Sequence, residues 1–165
     1  MPTKIILNPH ADLGHGADHY ETIKEGVRPL SDVDIVLTER PQHAKELAEE
    51  AIDNGYDVLV AAGGDGTNNE VINGIMFSEK EGSKLGVIPV GTGNDFAHSI
   101  GIDNDVPTAV KNIFSGQTRM VDLALMEDDK DRRRYFVNNM GVGLDANVII
   151  RTQEITRLRG FPKYM

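Results

Sequence analysis

Three glycines and an aspartate within four residues form the part of this sequence best suited to chemistry. The segment Gly63–Thr67, with sequence GGDGT, follows the apolar run Val58–Ala62 and precedes apolar residues at helical spacing. This pattern predicts a buried strand, a tight turn and a helix. Such a turn directs backbone N–H groups and the positive end of a helix dipole at one point, which favours an anion such as phosphate. The alternative is a glycine-rich turn that binds nothing.

The aspartate within this turn needs its own explanation. Glycines at such a turn allow close approach of the backbone to a ligand and permit positive φ angles. The carboxylate of Asp65 would repel phosphate unless a cation lies between them, or unless backbone or ribose groups donate hydrogen bonds to it. The residues alone leave two alternatives open, a role with Mg²⁺ and a fixed hydrogen-bonding role.

A second glycine-rich segment repeats the arrangement. Pro89–Ala97 follows the apolar run Leu85–Ile88, which predicts another strand, loop and helix. Because the loops after adjacent parallel strands lie at the same edge of a sheet, both loops could direct N–H groups at one polyphosphate. Thr92 offers a hydroxyl group to phosphate or ribose, and Asn94 could cap the following helix or contact substrate.

Taken together, Gly63–Thr67, Asn69 with Glu70, and Pro89–Ala97 resemble the diacylglycerol kinase catalytic domain. This family is shared with sphingosine and ceramide kinases and with bacterial soluble lipid kinases. NAD kinases and phosphofructokinases carry relatives of the first motif but differ at the second, so the pair of motifs is the specific signal. The resemblance implies ATP and Mg²⁺ as cofactors and catalytic roles for Asp65 and Asp95. Asp65 is a candidate metal ligand, while the main Mg²⁺ site and the general base are expected beyond residue 165.

The same resemblance extends the nucleotide site to the ends of the first two predicted strands, Lys4–Leu7 and Val33–Leu37. Asn8 and Pro9 match the family, whereas the next three residues depart from its small residues and glycine, and the first glycine is displaced to Gly14. The predicted nucleotide-contact residues are Asn8, Pro9, His10, Ala11, Asp12, Thr38, Gly63, Gly64, Asp65, Gly66, Thr67, Asn68, Asn69, Glu70, Gly91, Thr92, Gly93 and Asn94.

Strands that alternate with helices predict an α/β fold for the first part of the chain. We expect a three-layer, doubly wound, mostly parallel sheet, similar to the N-terminal domain of NAD kinases and diacylglycerol kinases. Helices are predicted from Tyr20 to Val27, from Pro41 to Ile52 with Pro41 at the first helical position, and from Asp105 to Phe114. This nucleotide-binding domain is predicted to cover residues 1–117.

From Thr118 the apolar spacing changes to that of strands. Arg119–Met126 and Arg134–Met140 predict an antiparallel hairpin around a charged turn. A helix rich in arginine is predicted from Asp145 to Arg159. Residues 118–165 are therefore expected to form the incomplete start of a β-rich second domain.

Composition excludes several classes of function. The 165 residues carry 17 Lys and Arg against 26 Asp and Glu, a formal net charge of −9, which argues against non-specific nucleic-acid binding. The absence of cysteine excludes disulfides and thiolate zinc sites.

No apolar run is long enough for a signal peptide or a membrane-spanning helix, so we expect a cytoplasmic protein that contacts the membrane only transiently. Neither loop has the Walker lysine or the GxGxxG pattern, which disfavours P-loop ATPases and dehydrogenases.

The leading interpretation is ATP-dependent phosphorylation of a lipid hydroxyl, most simply of diacylglycerol to phosphatidic acid. The alternatives are a kinase of another acceptor, such as NAD or a sphingoid base, and a nucleotide-binding regulatory module without catalysis. The general base is expected beyond residue 165, so we expect the chain alone to be inactive. Because residues 118–165 include strands with no sheet to cover them, we expect the chain to associate, most simply as a homodimer.

Overall fold

The computed structural model describes residues 1–138 and residue 147. Strands and helices alternate along most of this part of the chain, as the sequence predicts. The strands are β1 Thr3–Leu7, β2 Val33–Leu37, β3 Val58–Gly63, β4 Lys84–Pro89, β5 Ala124–Glu127 and β6 Arg133–Phe136. The α-helices are α1 Tyr20–Val27, α2 His43–Asp53, α3 Asp65–Phe77, α4 Asp95–Ser99 and α5 Val106–Ile113, and a 3-10 segment covers Asp12–His19.

The first four strands form one parallel sheet in the order β2-β1-β3-β4. The chain adds β2 on one side of β1 and then β3 and β4 on the other, so the winding direction reverses between β1 and β3. In the sheet, Leu7 pairs with Ala62 and Gly63 pairs with Pro89, which aligns the ends of these strands. Open parallel sheets bind ligands at such a reversal point, outside the carboxyl ends of the strands.

Helices cover both faces of the sheet, which confirms the predicted three-layer fold. One face packs against α1 and α5 around Ile5, Val60 and Val110. The other packs against α2 and α3 around Ile6, Leu59 and other apolar side chains. All six residues of β3 are buried. Burial on both faces explains why this strand is uniformly apolar rather than alternating.

The predicted boundaries of α2 and of both hairpin strands are wrong. Helix α2 begins at His43 rather than at Pro41, because Gln42 adopts a left-handed conformation (φ +66°) before the first turn. The hairpin is antiparallel as predicted, but its first strand begins at Ala124 and its second ends at Phe136. No strand of the described residues lies beside residues 119 to 123, and Met120 is 98% exposed. A β-prone sequence without a pairing partner does not form a strand.

Some predictions fall outside the described residues. They are the end of the second hairpin strand, at residues 139 and 140, and all of the helix from Asp145 to Arg159 except residue 147. The division at residue 117 stays a prediction. In the described residues, no helix is both long and apolar enough to cross a membrane.

Candidate active site

A cleft of about 520 Å³ lies at the carboxyl ends of the parallel strands. Its walls come from the loops that follow β1, β2, β3 and β4, together with the start of α3. These loops contain most of the predicted nucleotide-contact residues. The lining residues are Asn8, His10, Ala11, Asp12, Thr38, Glu39, Arg40, Pro41, Ala44, Gly64, Gly66, Thr67, Glu70, Gly91 and Thr92.

The two glycine loops touch each other, as the sheet order predicts. A Cβ atom on Gly91 would lie 2.3 Å from the Cα atom of Gly64. Within the first loop, a Cβ atom on Gly63 would lie 2.3 Å from the Thr67 hydroxyl oxygen. None of the glycines in either loop has a positive φ angle, so the expectation that they adopt such angles is wrong. Gly64 and Gly91 are needed because the backbones of the two loops pack directly against each other there, and a side chain on Gly91 would push the loops apart.

Asp65 is the first residue of α3, and its carboxylate joins three parts of the chain. Its Oδ2 atom accepts a hydrogen bond from the backbone N–H of Asp95 (3.1 Å), and its Oδ1 atom accepts one from that of Phe96 (3.0 Å). The side-chain amide of Asn138 donates a third bond to Oδ1 (2.8 Å). Of the two alternatives left by the sequence, the structure therefore contains the hydrogen-bonding role. The catalytic role of Asp65 stays a prediction.

Glu70 lies further along α3 and accepts hydrogen bonds at the start of α2, as Asp65 does at the start of α4. Its two carboxylate oxygens accept from the backbone N–H groups of Gln42 (3.1 Å) and Ala44 (3.2 Å). On another side of α3, the Thr67 hydroxyl accepts from the side-chain amide of Asn8 (3.1 Å), which ties the loop after β1 to the helix. The polar residues of the first motif thus hold the neighbouring loops around the start of α3.

These contacts distinguish the N terminus of α3 from those of α2 and α4. Carboxylates from α3 accept hydrogen bonds from the N termini of α2 and α4, so a negatively charged group already caps each of those helices. No side chain of the described residues caps the N terminus of α3 itself, which begins after Gly64. Its first N–H groups and the positive end of its dipole have no side-chain partner among the described residues, and they lie at the wall of the cleft, beside Gly64, Gly66 and Thr67.

Asn94 holds the second glycine loop in place. This residue is 1% exposed and left-handed (φ +57°), and its amide bonds the backbone N–H (3.0 Å) and C=O (2.7 Å) of Gly91. It occupies the N-cap position of α4 without capping it through its side chain. Contact between this buried amide and a nucleotide would require the loop to open. The exposed hydroxyl of Thr92 donates to Asp12 Oδ1 (2.8 Å) and so connects the loop to the one after β1.

Positive side chains at the cleft are few and already paired. Arg40 is the one Lys or Arg among the lining residues of the described chain, and its guanidinium binds both carboxylate oxygens of Glu46, one at 2.9 Å. This hydrogen bond raises the pKa of Arg40 and lowers the pKa of the Glu46 carboxyl. Asp12, Glu39 and other acidic residues line the same cleft. Phosphates bound here would meet backbone amides and carboxylates rather than free cations.

Comparison with known proteins agrees with this site. The sequence profile described as "Diacylglycerol kinase catalytic domain" matches residues 2–126, which is most of the chain. The chain belongs to the diacylglycerol kinase catalytic domain family. Proteins named diacylglycerol kinase from Staphylococcus aureus strains JH9 and Newman are each 48% identical over 101 residues, which cover 61% of this chain and 30% of the relative. The matched segment therefore spans less than a third of the length of these relatives.

A solved structure supports the same assignment. The crystal structure of a diacylglycerol kinase from Bacillus anthracis str. Sterne superimposes with a TM-score of 0.66 and 29% sequence identity, covering 73% of this chain and 44% of that one. The chain is thus a member of a kinase family by sequence and by fold.

Several residues at or near the site were not predicted from the sequence, because their contacts are distant in sequence. Gly16 lies so close to the carbonyl oxygen of Asn8 that a Cβ atom would be 2.3 Å from it, and a glycine in a predicted loop gave no signal of this. Arg40 and Glu39 line the cleft, although only their neighbour Thr38 was predicted. Asn73 binds the backbone of Tyr135 on β6 (2.9 Å). Its position four residues after Asn69, on one helix face, was the available signal.

Three other predicted residues need separate mention. Asn68 is 1% exposed, and neither of its amide atoms has a hydrogen-bond partner in the described structure. Asp95 is exposed, and its backbone N–H serves Asp65. Asn69 faces the hairpin, where its amide donates to the Tyr135 carbonyl oxygen (3.0 Å). In the part of the chain that the structure describes, no group of three His, Cys, Asp or Glu side chains lies close enough to hold a metal ion.

Proposed function

We propose that this chain is the nucleotide-binding part of an ATP-dependent lipid kinase that phosphorylates a hydroxyl group, most simply that of diacylglycerol. The observation that carries this proposal is the uncapped N terminus of α3 in a cleft where Asp65 and Glu70 fill the neighbouring helix ends. A helix N terminus with free N–H groups is suited to a phosphate group. The relatives named diacylglycerol kinase favour this acceptor over NAD or a sphingoid base.

The proposed role of the chain is to hold and orient the nucleotide. Phosphoryl transfer depends mainly on positioning and on neutralising charge, and backbone amides that are already fixed do both. In this proposal the N–H groups at Gly66 and Thr67 bind phosphate oxygens, and Thr38 and Asn8 line the adjoining wall. The Thr92 hydroxyl keeps the two loops together through Asp12.

The donors at the cleft also fit a magnesium ion that arrives with the nucleotide. Mg²⁺ in kinase sites takes one or two protein carboxylates and completes its shell with phosphate oxygens and water. Asp12 is the candidate ligand, because its Oδ1 atom holds Thr92 while its carboxylate borders the cleft. When bound, the ion would neutralise charge on the phosphates. This matters here because the one lining arginine is paired with Glu46.

The remaining parts of the reaction lie outside the chain in this proposal. The reaction also needs a group that accepts the proton of the acceptor hydroxyl, and the relatives are more than three times as long as the matched segment. We propose that the base and the main Mg²⁺ site lie in the part of the relatives that this chain does not cover. The protein would meet its lipid acceptor by transient contact with a membrane surface.

An assay of acceptors separates this function from its alternatives. A protein that carries this chain within a complete kinase is incubated with Mg²⁺, radiolabelled ATP, and either diacylglycerol in mixed micelles, sphingosine or NAD. Labelled phosphatidic acid is the expected product. Label in sphingosine phosphate or NADP instead would overturn the acceptor, and ATP binding without any labelled product would favour the regulatory module. In the 165-residue chain, ADP with Mg²⁺ is expected to shift the backbone NMR signals of residues 64–70; shifts confined to residues 118–138 would contradict the proposed site.

A further inference from the structure

A stripe of side chains on α3 holds the hairpin in an unusual way. The carboxamide of Asn73 donates from Nδ2 to the carbonyl oxygen of Tyr135 (2.9 Å) and accepts at Oδ1 from the N–H of the same residue (2.9 Å). Paired donor and acceptor bonds of this kind are what a neighbouring β-strand supplies to a residue. A single side chain on a helix therefore takes the place of a strand beside β6.

Two further residues on the same helix face strengthen this contact. Asn69 also donates to the Tyr135 carbonyl oxygen (3.0 Å), and its Oδ1 atom accepts from the Nε–H of Arg134 (2.8 Å). One turn beyond Asn73, the ring of Phe77 meets the Tyr135 ring edge-on at 5.3 Å between centroids. Residues 69, 73 and 77 are spaced by four, so they form one stripe along α3. The stripe fixes β6 through its backbone rather than through an apolar face.

Strand β6 leads directly to a residue that contacts the Asp65 carboxylate. Three residues after Tyr135, the side chain of Asn138 donates to Asp65 Oδ1 (2.8 Å). The same oxygen accepts from the N–H of Phe96 at the start of α4. The hairpin is thus attached to α3 at two places, at the middle of the helix and at its first residue. A shift of β6 along α3 would withdraw Asn138 from Asp65.

We propose that Asn69 and Asn73 form an amide clamp whose purpose is to position Asn138 and, through it, the carboxylate of Asp65, which lies between the cleft-lining residues Gly64 and Gly66. These are positioning residues, since they act on Asp65 and α4 and line no part of the cleft. The clamp also fixes where the chain leaves the α/β unit. Its effect on turnover rests on the proposed kinase function, whereas its effect on the structure does not.

Hydrogen exchange in the 165-residue chain tests the structural half. In Asn73→Ala, we expect the Tyr135 amide to exchange at least about fivefold faster, because it loses its acceptor. We also expect the NMR signals of the Asp95 and Phe96 amides to move, because Asp65 is repositioned. Asn112→Ala removes an exposed asparagine from α5 and is the matched control. Unchanged Tyr135 exchange, or faster exchange with unmoved Asp95 and Phe96 signals, would overturn the proposal.

A second variant keeps the proposal testable if Asn73→Ala fails to fold. Asn138→Ala leaves α3 and the clamp intact and removes only the link to Asp65, so it should move the Asp95 and Phe96 signals while Tyr135 stays protected. In a complete kinase, both variants should lower kcat by about 10- to 100-fold with little change in the KM for ATP. A raised KM with normal kcat would contradict positioning. If the unmodified enzyme phosphorylates no acceptor, the proposed function fails while the exchange experiment still decides the clamp.

Discussion

The substitution Gly66→Ala separates a phosphate-binding turn from a turn that is merely tight. Gly66 is the second residue of α3, is exposed and has no atom within 4 Å of the place where a Cβ would stand. A methyl group there meets no protein atom and enters the open space of the cleft, whose wall includes Gly66. We therefore expect the change to affect ligand binding without affecting packing.

The two expected effects have opposite signs. Alanine is preferred over glycine inside a helix by up to about 1 kcal/mol, so the free energy of unfolding should stay equal or rise by less than that amount. A methyl group over the first N–H groups of α3 should keep phosphate oxygens from approaching them. We expect the affinity for ADP with Mg²⁺ to fall at least tenfold, which is about 1.4 kcal/mol of binding free energy.

Isothermal titration with ADP and Mg²⁺, combined with urea unfolding, measures both quantities. Gly91→Ala is the contrasting variant, because its Cβ would lie 2.3 Å from the Gly64 backbone and should cost about 1–3 kcal/mol of stability as well as binding. Normal affinity in Gly66→Ala would refute the placement of phosphate at the start of α3. A large loss of stability in that variant would refute the packing argument.

Other substitutions test the packing and charge of the fold. Asn68→Leu should raise the free energy of unfolding by about 1–3 kcal/mol, because a buried amide with no partner in the described structure is replaced by an apolar group; urea unfolding measures this, and a loss of stability would mean that the amide has a partner. Gly74→Ala should lower it by about 1–3 kcal/mol, since its Cβ would stand 2.6 and 2.7 Å from atoms of α2, and an unchanged urea midpoint would show that the two helices can move apart. Asp105 caps α5, and hydrogen bonds from the residue three positions later lower its pKa below the ordinary value of 3.8. Its contribution is complete above that value and is lost as the pH falls through the lower folded pKa, so Asp105→Asn should show a smaller drop in melting temperature between pH 5 and pH 3 than the wild type; equal drops would contradict the cap. The chain should also associate through its exposed hairpin, where Leu125 is 47% exposed and Met120, just before it, 98%, and light scattering should show dimers that Leu125→Lys dissociates; a monomer at micromolar concentration would exclude this.

The order of strands and helices around the site was predictable because each rests on a local pattern. The run from Val58 to Ala62 predicted a strand covered on both faces, and a glycine turn followed by apolar residues at helical spacing predicted α3. Their pairing order placed the two loops side by side. No local pattern indicated that residues 119–123 would lack a neighbouring strand among the described residues, since a strand needs a partner as well as a suitable sequence.

The roles of individual side chains were less predictable. Asp65 bonds residues that lie 30, 31 and 73 positions away, so only the folded chain could decide between its two alternatives. Glu70 matched a family motif, yet its carboxylate caps a helix that begins 27 residues earlier. Asn94 could cap or bind ligand by its residue type, and the structure uses it to hold its own loop. Residue type restricts what a polar group can do, and tertiary contacts choose among the options.

The way α3 caps its neighbours has a consequence for motion. Unwinding the first turns of α3 would remove Asp65 from α4 and Glu70 from α2 at once, so this helix should open only when much of the domain opens. Its amides should therefore be among the slowest to exchange with solvent. Under the proposed function, we expect the loop after β1 to move more readily than α3, because exposed Leu13 and Gly14 there are left-handed. Two side-chain hydrogen bonds tie this loop to its neighbours, one from Thr92 to Asp12 and one from Asn8 to Thr67.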